Sequence, residues 1–279
     1  MASYLRPSEL DAALAALSEA PRAIVAGGTD FYPARVGKPL DDDVLDVTGI
    51  AGLQGISDRG DHYRIGALVT WSELMRTALP AGFDGLKLAA REVGGVQVQN
   101  AGTIVGNVCN ASPAADGMPS LLALDAAVEL ASLGATRSVP LAEFVTGNRR
   151  TLREPGEMVT AIAVPKPAEG ATSSFVKLGA RKYLVISIVM VGGVIEPAPG
   201  GTVAAARLAI GSCAAVARRL PALEAALAGR RIDATMADVA AAEHLAVLSP
   251  IDDVRGSAAY RMDAALTLVR RMLAELGSR

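Results

Sequence analysis

A short apolar run ends abruptly at two adjacent glycines in the segment AIVAGGTD, residues 23–30. The run predicts a buried strand, and Gly27 and Gly28, followed by Thr29 and Asp30, predict a tight turn or loop at its end. Glycine lets the backbone approach a neighbouring group closely because it has no Cβ. The loop is therefore either an ordinary turn or a place where bare backbone meets a ligand.

A second loop of this kind lies at residues 100–107, with the sequence NAGTIVGN. Successive backbone N–H groups in such turns form concavities that bind anions, and a pair of them suits a dinucleotide diphosphate. Thr29 and Thr103 add hydroxyl groups, and Asn107 adds an amide. From spacing alone, two polar turns without a ligand remain an open alternative, because the chain lacks the G-x-G-x-x-G and P-loop signatures.

Composition limits the other possibilities. At 279 residues the chain is long for one core, so we expect two or three subdomains. The 27 basic and 29 acidic residues nearly balance, which predicts no nucleic-acid partner. Charges interrupt every window of membrane-spanning length, and the N-terminus lacks a signal-peptide pattern, so we expect a cytoplasmic protein without membrane insertion. Cys109 and Cys213 cannot supply the four thiolates of an iron–sulfur cluster, so a redox centre in this chain would be an organic cofactor.

Hydrophobic periodicity predicts a mixture of helices and strands. A capping signature at Ser8 starts a helix that ends near Pro21, and the two strands after it give a βαβ-like start. Residues 94–117 show no helical period. Further elements are expected as strands at 23–27, 43–50, 62–71, 158–165 and 203–213, as helices at 84–93, near 214–228, near 233–247 and near 257–276, and as a helix leading into a strand at 119–130.

Four segments, in order along the chain, carry a specific resemblance: AGGTD (26–30), TIVGNVCNASPAADGMPSLLALDA (103–126), SFVKLGARK (174–182) and DDVRGSAAYR (252–261). Together they resemble the FAD-binding medium subunit of the molybdenum hydroxylases, the superfamily of xanthine dehydrogenase and carbon monoxide dehydrogenase. The resemblance implies an α+β fold. It consists of a two-lobed FAD-binding domain of the vanillyl-alcohol-oxidase (PCMH) type, followed by a smaller α+β C-terminal domain.

The domain boundary follows from a linker with Pro165, Pro167 and Gly170. We expect the FAD-binding domain at 1–168, with lobes of about 1–55 and 56–168, and the C-terminal domain at 169–279.

The same resemblance implies FAD contacts at particular positions. One side of the diphosphate would be held by Val25, Ala26, Gly27, Gly28, Thr29 and Asp30, and the other by Thr103, Ile104, Val105, Gly106 and Asn107. Asp116 would contact a sugar, Lys177 would touch FAD, and Val93 and Val159 would contact the flavin. Val105 stands where the family usually has the first of two glycines, and Gln99 where it commonly has arginine.

Several of these residues also have an ordinary structural explanation. Asp116 suits a helix cap before Pro119, and an inward Lys177 would need a partner because an unpaired buried ammonium is strongly disfavoured. Cys109 is expected to be a small buried residue. Arg181, Lys182 and Tyr183 form either a surface turn or part of the flavin edge, and Arg255, Tyr260 and Arg261 either tie the last helix to the preceding domain or form surface ion pairs.

The function implied is an electron-transfer flavoprotein subunit, an oxidoreductase with non-covalent FAD and with neither a catalytic residue nor a metal of its own. Its partners would be a small subunit with [2Fe–2S] clusters and a large molybdopterin subunit, in a dimer of heterotrimers. The complex would hydroxylate a small molecule, with an N-heterocycle or purine favoured, and reduce an external acceptor. Two alternatives are a stand-alone FAD oxidase or dehydrogenase and a flavin-free assembly module.

Overall fold

The N-terminal segment forms a small parallel sheet. In this computed structural model, which describes residues 2–39 and 41–279, the sheet contains β1 (Tyr4–Leu5), β2 (Ala23–Val25) and β3 (Val44–Asp46). β1 and β2 both pair in parallel with β3. Helix α1 (Leu10–Glu19) joins β1 to β2 and buries one face on the core. The predicted helix and the two strands after it are present, whereas β1, which starts the βαβ unit, was not predicted. The helix begins after Glu9, so the capping position predicted at Ser8 is wrong by one residue.

An antiparallel sheet surrounded by short helices follows. In chain order its elements are β4 (Ile56–Asp58), β5 (His62–Gly66), α2 (Trp71–Arg76), α3 (Asp84–Glu92), α4 (Val96–Ala101), α5 (Ile104–Asn110), α6 (Gly117–Ala123), β6 (Ala127–Ser132), β7 (Ala135–Pro140), α7 (Leu141–Phe144), β8 (Val145–Gly147), β9 (Arg150–Thr151) and β10 (Met158–Pro165). The strand order is β4–β5–β10–β6–β7, and β8 pairs with β9 in a separate hairpin. The strand predicted at 62–71 is shorter than expected because β5 ends at Gly66 and α2 begins at Trp71.

Residues 94–117, which show no helical period, contain the two short helices α4 and α5. They have 6 and 7 residues, and fewer than two turns cannot repeat an apolar position at helical spacing. Thr103 caps α5, because its Oγ1 accepts a hydrogen bond from the N–H of Gly106 at 3.0 Å. The second glycine loop is therefore the junction between two helices.

The C-terminal part is an antiparallel sheet covered by helices. Its elements are β11 (Thr172–Leu178), β12 (Val189–Ala198), β13 (Thr202–Gly211), β14 (Arg218–Arg219), α8 (Pro221–Leu227), α9 (Met236–Val239) and α10 (Ala258–Gly277). The strands pair in the order β11–β12–β13–β14. The last predicted helix is confirmed. The helix predicted near 214–228 starts only at Pro221, which occupies a first-turn position, and the one near 233–247 is a four-residue helix and a separate 3₁₀ turn.

The two parts of the chain are packed closely. A Cβ at Gly192 in β12 would lie 2.7 Å from the backbone nitrogen of Ser120, so α6 rests directly on the C-terminal sheet. Arg261 of α10 is buried, and it donates hydrogen bonds to the carbonyls of Ile188 and Ser212 and to Asp253, which ties the last helix to the sheet in front of it. Within the described ranges, no helix has both the length and the apolar character that crossing a membrane requires.

Candidate functional site

The two glycine loops are in direct contact. A Cβ at Gly27 would lie 1.8 Å from the carbonyl oxygen of Ala101, and a Cβ at Gly102 would lie 3.1 Å from Oγ1 of Thr29. The loop after β2 and the α4–α5 junction therefore pack backbone against backbone. Sequence reasoning predicted both loops, and the fold brings them to the same place.

A cavity of about 580 Å³ opens beside this contact, a volume in the range of small-molecule and cofactor sites. Most of the residues predicted to bind FAD line it, namely Val25, Ala26, Gly27, Gly28, Thr29, Asp30, Val93, Thr103, Val105, Gly106, Asn107 and Val159. Three predicted residues are outside the lining found in the described part of the chain: Ile104, Asp116 and Lys177. Ile104 is fully buried in the main core, where it anchors the start of α5.

The first loop carries free hydrogen-bond donors. Among the described residues, the backbone N–H groups of positions 27–31 donate no hydrogen bond. Gly28 has φ +68°, a left-handed conformation, and a Cβ there would meet the ring of Tyr32. Successive amides around a left-handed residue bind anions well, because several N–H groups can converge on one negative group. This loop has the backbone chemistry that a phosphate or diphosphate requires.

The second loop uses most of its own amides. The N–H of Ile104 donates to Val69, that of Gly106 donates to the Thr103 hydroxyl, and that of Asn107 donates to the Thr103 carbonyl. Its contribution to a ligand therefore comes from side chains. Oδ1 of Asn107 is buried and has no hydrogen-bond partner within residues 2–39 and 41–279. An orphaned polar atom in a cavity wall fits a ligand group that would satisfy it.

The departure at Val105 leaves the cavity open. The Val105 side chain is buried in the main core, although the residue contributes to the lining. The substitution for glycine therefore adds core packing. Gln99 also lies outside the lining, and its side-chain amide donates to the carbonyl of Arg91.

The cavity also has apolar lining residues. Trp71, the only tryptophan of the chain, is 1% exposed and lines the cavity, as do Val93, Met158 and Val159. The backbone N–H of Trp71 donates to Gly102, which fixes the indole beside the second loop. Sequence reasoning missed Trp71 because a single aromatic residue at the start of a short helix carries no pattern.

The cavity wall is positively charged. Its lining includes Arg22, Arg35, Arg149 and Arg153 but only one acidic residue, Asp30. Arg35 is paired with Asp42 at 2.6 Å, outside the wall. None of these arginines was predicted from the sequence, since they come from three separate segments and follow no motif. A wall of this charge favours an anionic ligand.

Asp116 and Lys177 form a buried ion pair instead of lining the cavity. Nζ of Lys177 lies 2.8 Å from Oδ2 of Asp116, and their side chains are 5% and 11% exposed. The hydroxyl of Ser187 donates to Oδ1 of Asp116 at 2.7 Å, and Lys177 also donates to the carbonyl of Glu92. Burial raises the pKa of Asp116, and the neighbouring ammonium of Lys177 opposes that rise. The expected partner for an inward lysine is thus present.

The other candidates have different positions. Asp116 directly precedes α6, but within the described residues its side chain makes no capping bond. Cys109 is exposed and lines the cavity, so its expected burial is wrong. Arg181, Lys182 and Tyr183 are exposed in the connection from β11 to β12. No cluster of metal-ligating side chains occurs in the part of the chain that the structure describes.

Two family models match the chain. Residues 1–167 match the FAD binding domain in molybdopterin dehydrogenase. Residues 174–276 match the CO dehydrogenase flavoprotein C-terminal domain. The gap between the two matches, residues 168–173, includes most of the segment that connects β10 to β11.

The names of similar proteins are consistent with these two family matches. The chain is 34% identical over 196 residues to the nicotinate dehydrogenase FAD-subunit of Eubacterium barkeri, a match that covers 67% of this chain and 66% of that protein. It is 28% identical to the carbon monoxide dehydrogenase medium chain of Hydrogenophaga pseudoflava, over 97% of this chain and 95% of that one. Among solved structures, reconstituted CO dehydrogenase from Oligotropha carboxidovorans superposes with a TM-score of 0.91 at 27% identity, covering 99% of this chain and 98% of that chain.

Proposed function

The chain belongs to the FAD-binding medium-subunit family of the molybdenum hydroxylases, and on that premise we propose that its cavity between the glycine loops holds the FAD diphosphate. The chain is an oxidoreductase subunit that carries FAD for electron transfer. The observation that carries the proposal is that residues 27–31, whose backbone N–H groups donate no hydrogen bond among the described residues, line a cavity whose wall is positively charged.

The residues present fit the cofactor. Free backbone donors and arginines suit a diphosphate, and Asn107 offers an unsatisfied buried oxygen to a hydroxyl or amide. The apolar lining residues, Trp71 among them, suit an apolar ring. Bound FAD would supply the chemistry that links one-electron and two-electron partners. The protein contributes binding, orientation and exclusion of water, for which the buried Trp71, Val93 and Val159 are suited.

We propose further features of the complex. A small [2Fe–2S] subunit and a large molybdopterin subunit are the partners, arranged as a dimer of heterotrimers, with an external acceptor for the electrons. An N-heterocycle is the favoured substrate of the molybdopterin subunit, in line with the names of the nicotinate and nicotine relatives. The division into a PCMH-type FAD-binding domain at 1–168 and a C-terminal domain at 169–279 stays a prediction, as do FAD contacts by Ile104, Asp116 and Lys177.

No observation favours a stand-alone oxidase or dehydrogenase. Within the described lining, the titratable residues are arginines, Asp30 and Cys109, and both histidines of the chain lie elsewhere. An enzyme acting on its own substrate needs an acid or base placed over the flavin.

The purified chain, reconstituted with FAD, tests the proposal. We expect one FAD per chain, a flavin absorption spectrum, and co-purification of iron- and molybdenum-containing subunits from the native source. Failure to bind FAD would contradict the proposal. Turnover of a small substrate by the FAD-loaded chain alone would favour the stand-alone alternative.

A further inference from the structure

One wall of the cavity carries positive charge that the chain does not neutralise. Arg149 follows β8 and Arg153 follows β9, and both line the cavity. In the described ranges neither side chain has a carboxylate partner. Arg149 donates to the backbone and side-chain oxygens of Asn110, and Nη1 of Arg153 donates to the carbonyl of Glu157 at 2.9 Å. Both guanidinium groups therefore retain their full charge and several free N–H donors.

Arg149 lies in the hairpin of β8 and β9, which contacts the end of helix α5, the helix that begins in the second glycine loop. The backbone N–H of Arg149, which has φ +59°, donates to the carbonyl of Ala111 at 2.9 Å, at the end of α5. Gly106 lies in the first turn of the same helix, four residues before Asn110, and four residues span about 6 Å along a helix axis. Arg149 and Arg153 line the same cavity as Gly106 and the first glycine loop, so the hairpin charges act on an anion bound there.

The positive charges of Arg149 and Arg153 also destabilise the protein when no anion is bound. Like charges on one cavity wall repel each other, and a bound anion reduces that repulsion while gaining charge-assisted hydrogen bonds. An uncharged ligand gains neither effect. The arginines therefore distinguish ligands by their phosphate groups.

We propose that Arg149 and Arg153 are specificity-determining residues that bind the diphosphate of FAD and select it over uncharged flavin. This inference rests on the proposed function. Arg149 reaches the site from a position fixed by the end of α5, and Arg153 reaches it from the turn after β9. Together they supply side-chain charge beside the uncharged backbone donors of the first glycine loop.

Titrations of the full-length chain with FAD over a range of NaCl concentrations test this. We expect Arg153→Gln to weaken FAD binding about tenfold at low salt and to reduce the salt dependence of the dissociation constant. Inorganic pyrophosphate, used as a competitor of FAD, loses affinity in the same variant. Arg149→Lys keeps the charge but loses the planar guanidinium donors, so we expect it to weaken FAD binding less than Arg149→Gln does.

Arg150 provides the matched control. It lies in the same hairpin and is exposed, as Arg149 and Arg153 are, but it is outside the described lining, so Arg150→Gln should change FAD affinity less than about twofold. The inference is overturned if wild type binds FAD and Arg153→Gln binds it with the same affinity and salt dependence. Wild type that binds no FAD contradicts the proposed function instead. The FAD affinity of the double variant Arg149→Gln/Arg153→Gln is interpreted only if its melting temperature matches that of wild type. If it does not, the FAD affinities of the single variants test the inference.

Discussion

Gly27 and Ala101 meet backbone to backbone. A Cβ at position 27 would stand 1.8 Å from the carbonyl oxygen of Ala101 and 2.5 Å from its carbonyl carbon, distances that no side chain can occupy. Glycine is therefore required at position 27 by the packing of one loop on the other. The contact also fixes the two loops relative to each other before any ligand binds.

A substitution at Gly27 therefore tests fold and site together. We expect Gly27→Ala to lower the free energy of unfolding by about 2 kcal/mol or more and to abolish FAD binding, because the loops must separate. Gly52→Ala is the control, since a Cβ there meets no described atom within 4 Å and should change stability by less than about 0.5 kcal/mol. Urea unfolding and FAD titration measure both effects, and wild-type values for Gly27→Ala would contradict the packing described.

Thr103 acts through its hydroxyl group. Because Oγ1 caps α5 by accepting from the N–H of Gly106, Thr103→Val should cost about 1 kcal/mol of stability and weaken FAD binding. Thr103→Ser keeps the oxygen and should retain most of both. Equal stability of the valine and serine variants in chemical denaturation would show that the cap contributes nothing.

Substitution of Asn107 should have opposite effects on the stability of the unliganded chain and on its affinity for FAD. Its buried Oδ1 has no partner in the described structure, so Asn107→Leu removes an uncompensated polar atom. We expect the unliganded chain to keep its stability or gain about 1 kcal/mol, while FAD affinity falls. Thermal melting without FAD and titration with FAD separate the two. Unchanged FAD affinity would place Asn107 outside the ligand contacts.

The buried Asp116–Lys177 pair should contribute strongly to stability. Lys177→Met leaves a buried carboxylate without its cation and should cost about 3 kcal/mol. The double variant Lys177→Met/Asp116→Asn should recover part of this loss. Lys166→Met is the control, because Lys166 pairs with Asp58 at the same 2.8 Å but both side chains are well exposed, so a cost below about 1 kcal/mol is expected. Equal costs in urea unfolding would contradict the role of burial.

Asp253 should make stability depend on acidic pH. The backbone N–H of Arg255, together with the side chains of Arg261 and Arg255, lowers the pKa of Asp253 from 3.8 to about 2. A depressed pKa means that the stabilisation is present above the unfolded value of 3.8 and is lost as pH falls toward 2. Asp253→Asn should therefore lower the melting temperature at neutral pH and show a smaller decrease across that acid range. Parallel pH profiles of the two proteins would contradict this.

Short sequence patterns correctly predicted several individual strands of the fold. Strand β10 and the strand before Gly27 were predicted because apolar runs ended by turn residues identify buried strands. The helices α4 and α5 could not be predicted from periodicity, because neither completes two turns. The C-terminal helices were overextended for a related reason: alanine-rich sequence favours helix even where the chain turns.

Only those parts of the site that consist of residues adjacent in the sequence could be predicted. Both glycine loops were identified, since each is a single short motif. The pairing of Lys177 with Asp116 joins residues 61 positions apart, and the arginine wall joins segments that meet only in the folded chain. The resemblance identified Asp116 and Lys177 as important positions, while their contact with each other required the three-dimensional structure.

The most direct measurement is a structure of the chain determined with FAD. The account predicts the diphosphate in the cavity, accepting hydrogen bonds from the N–H groups at positions 27–31, with Asn107 and the guanidinium groups of Arg149 and Arg153 beside the cofactor. FAD bound with its diphosphate on another surface, away from the contact between Gly27 and Ala101, would contradict it.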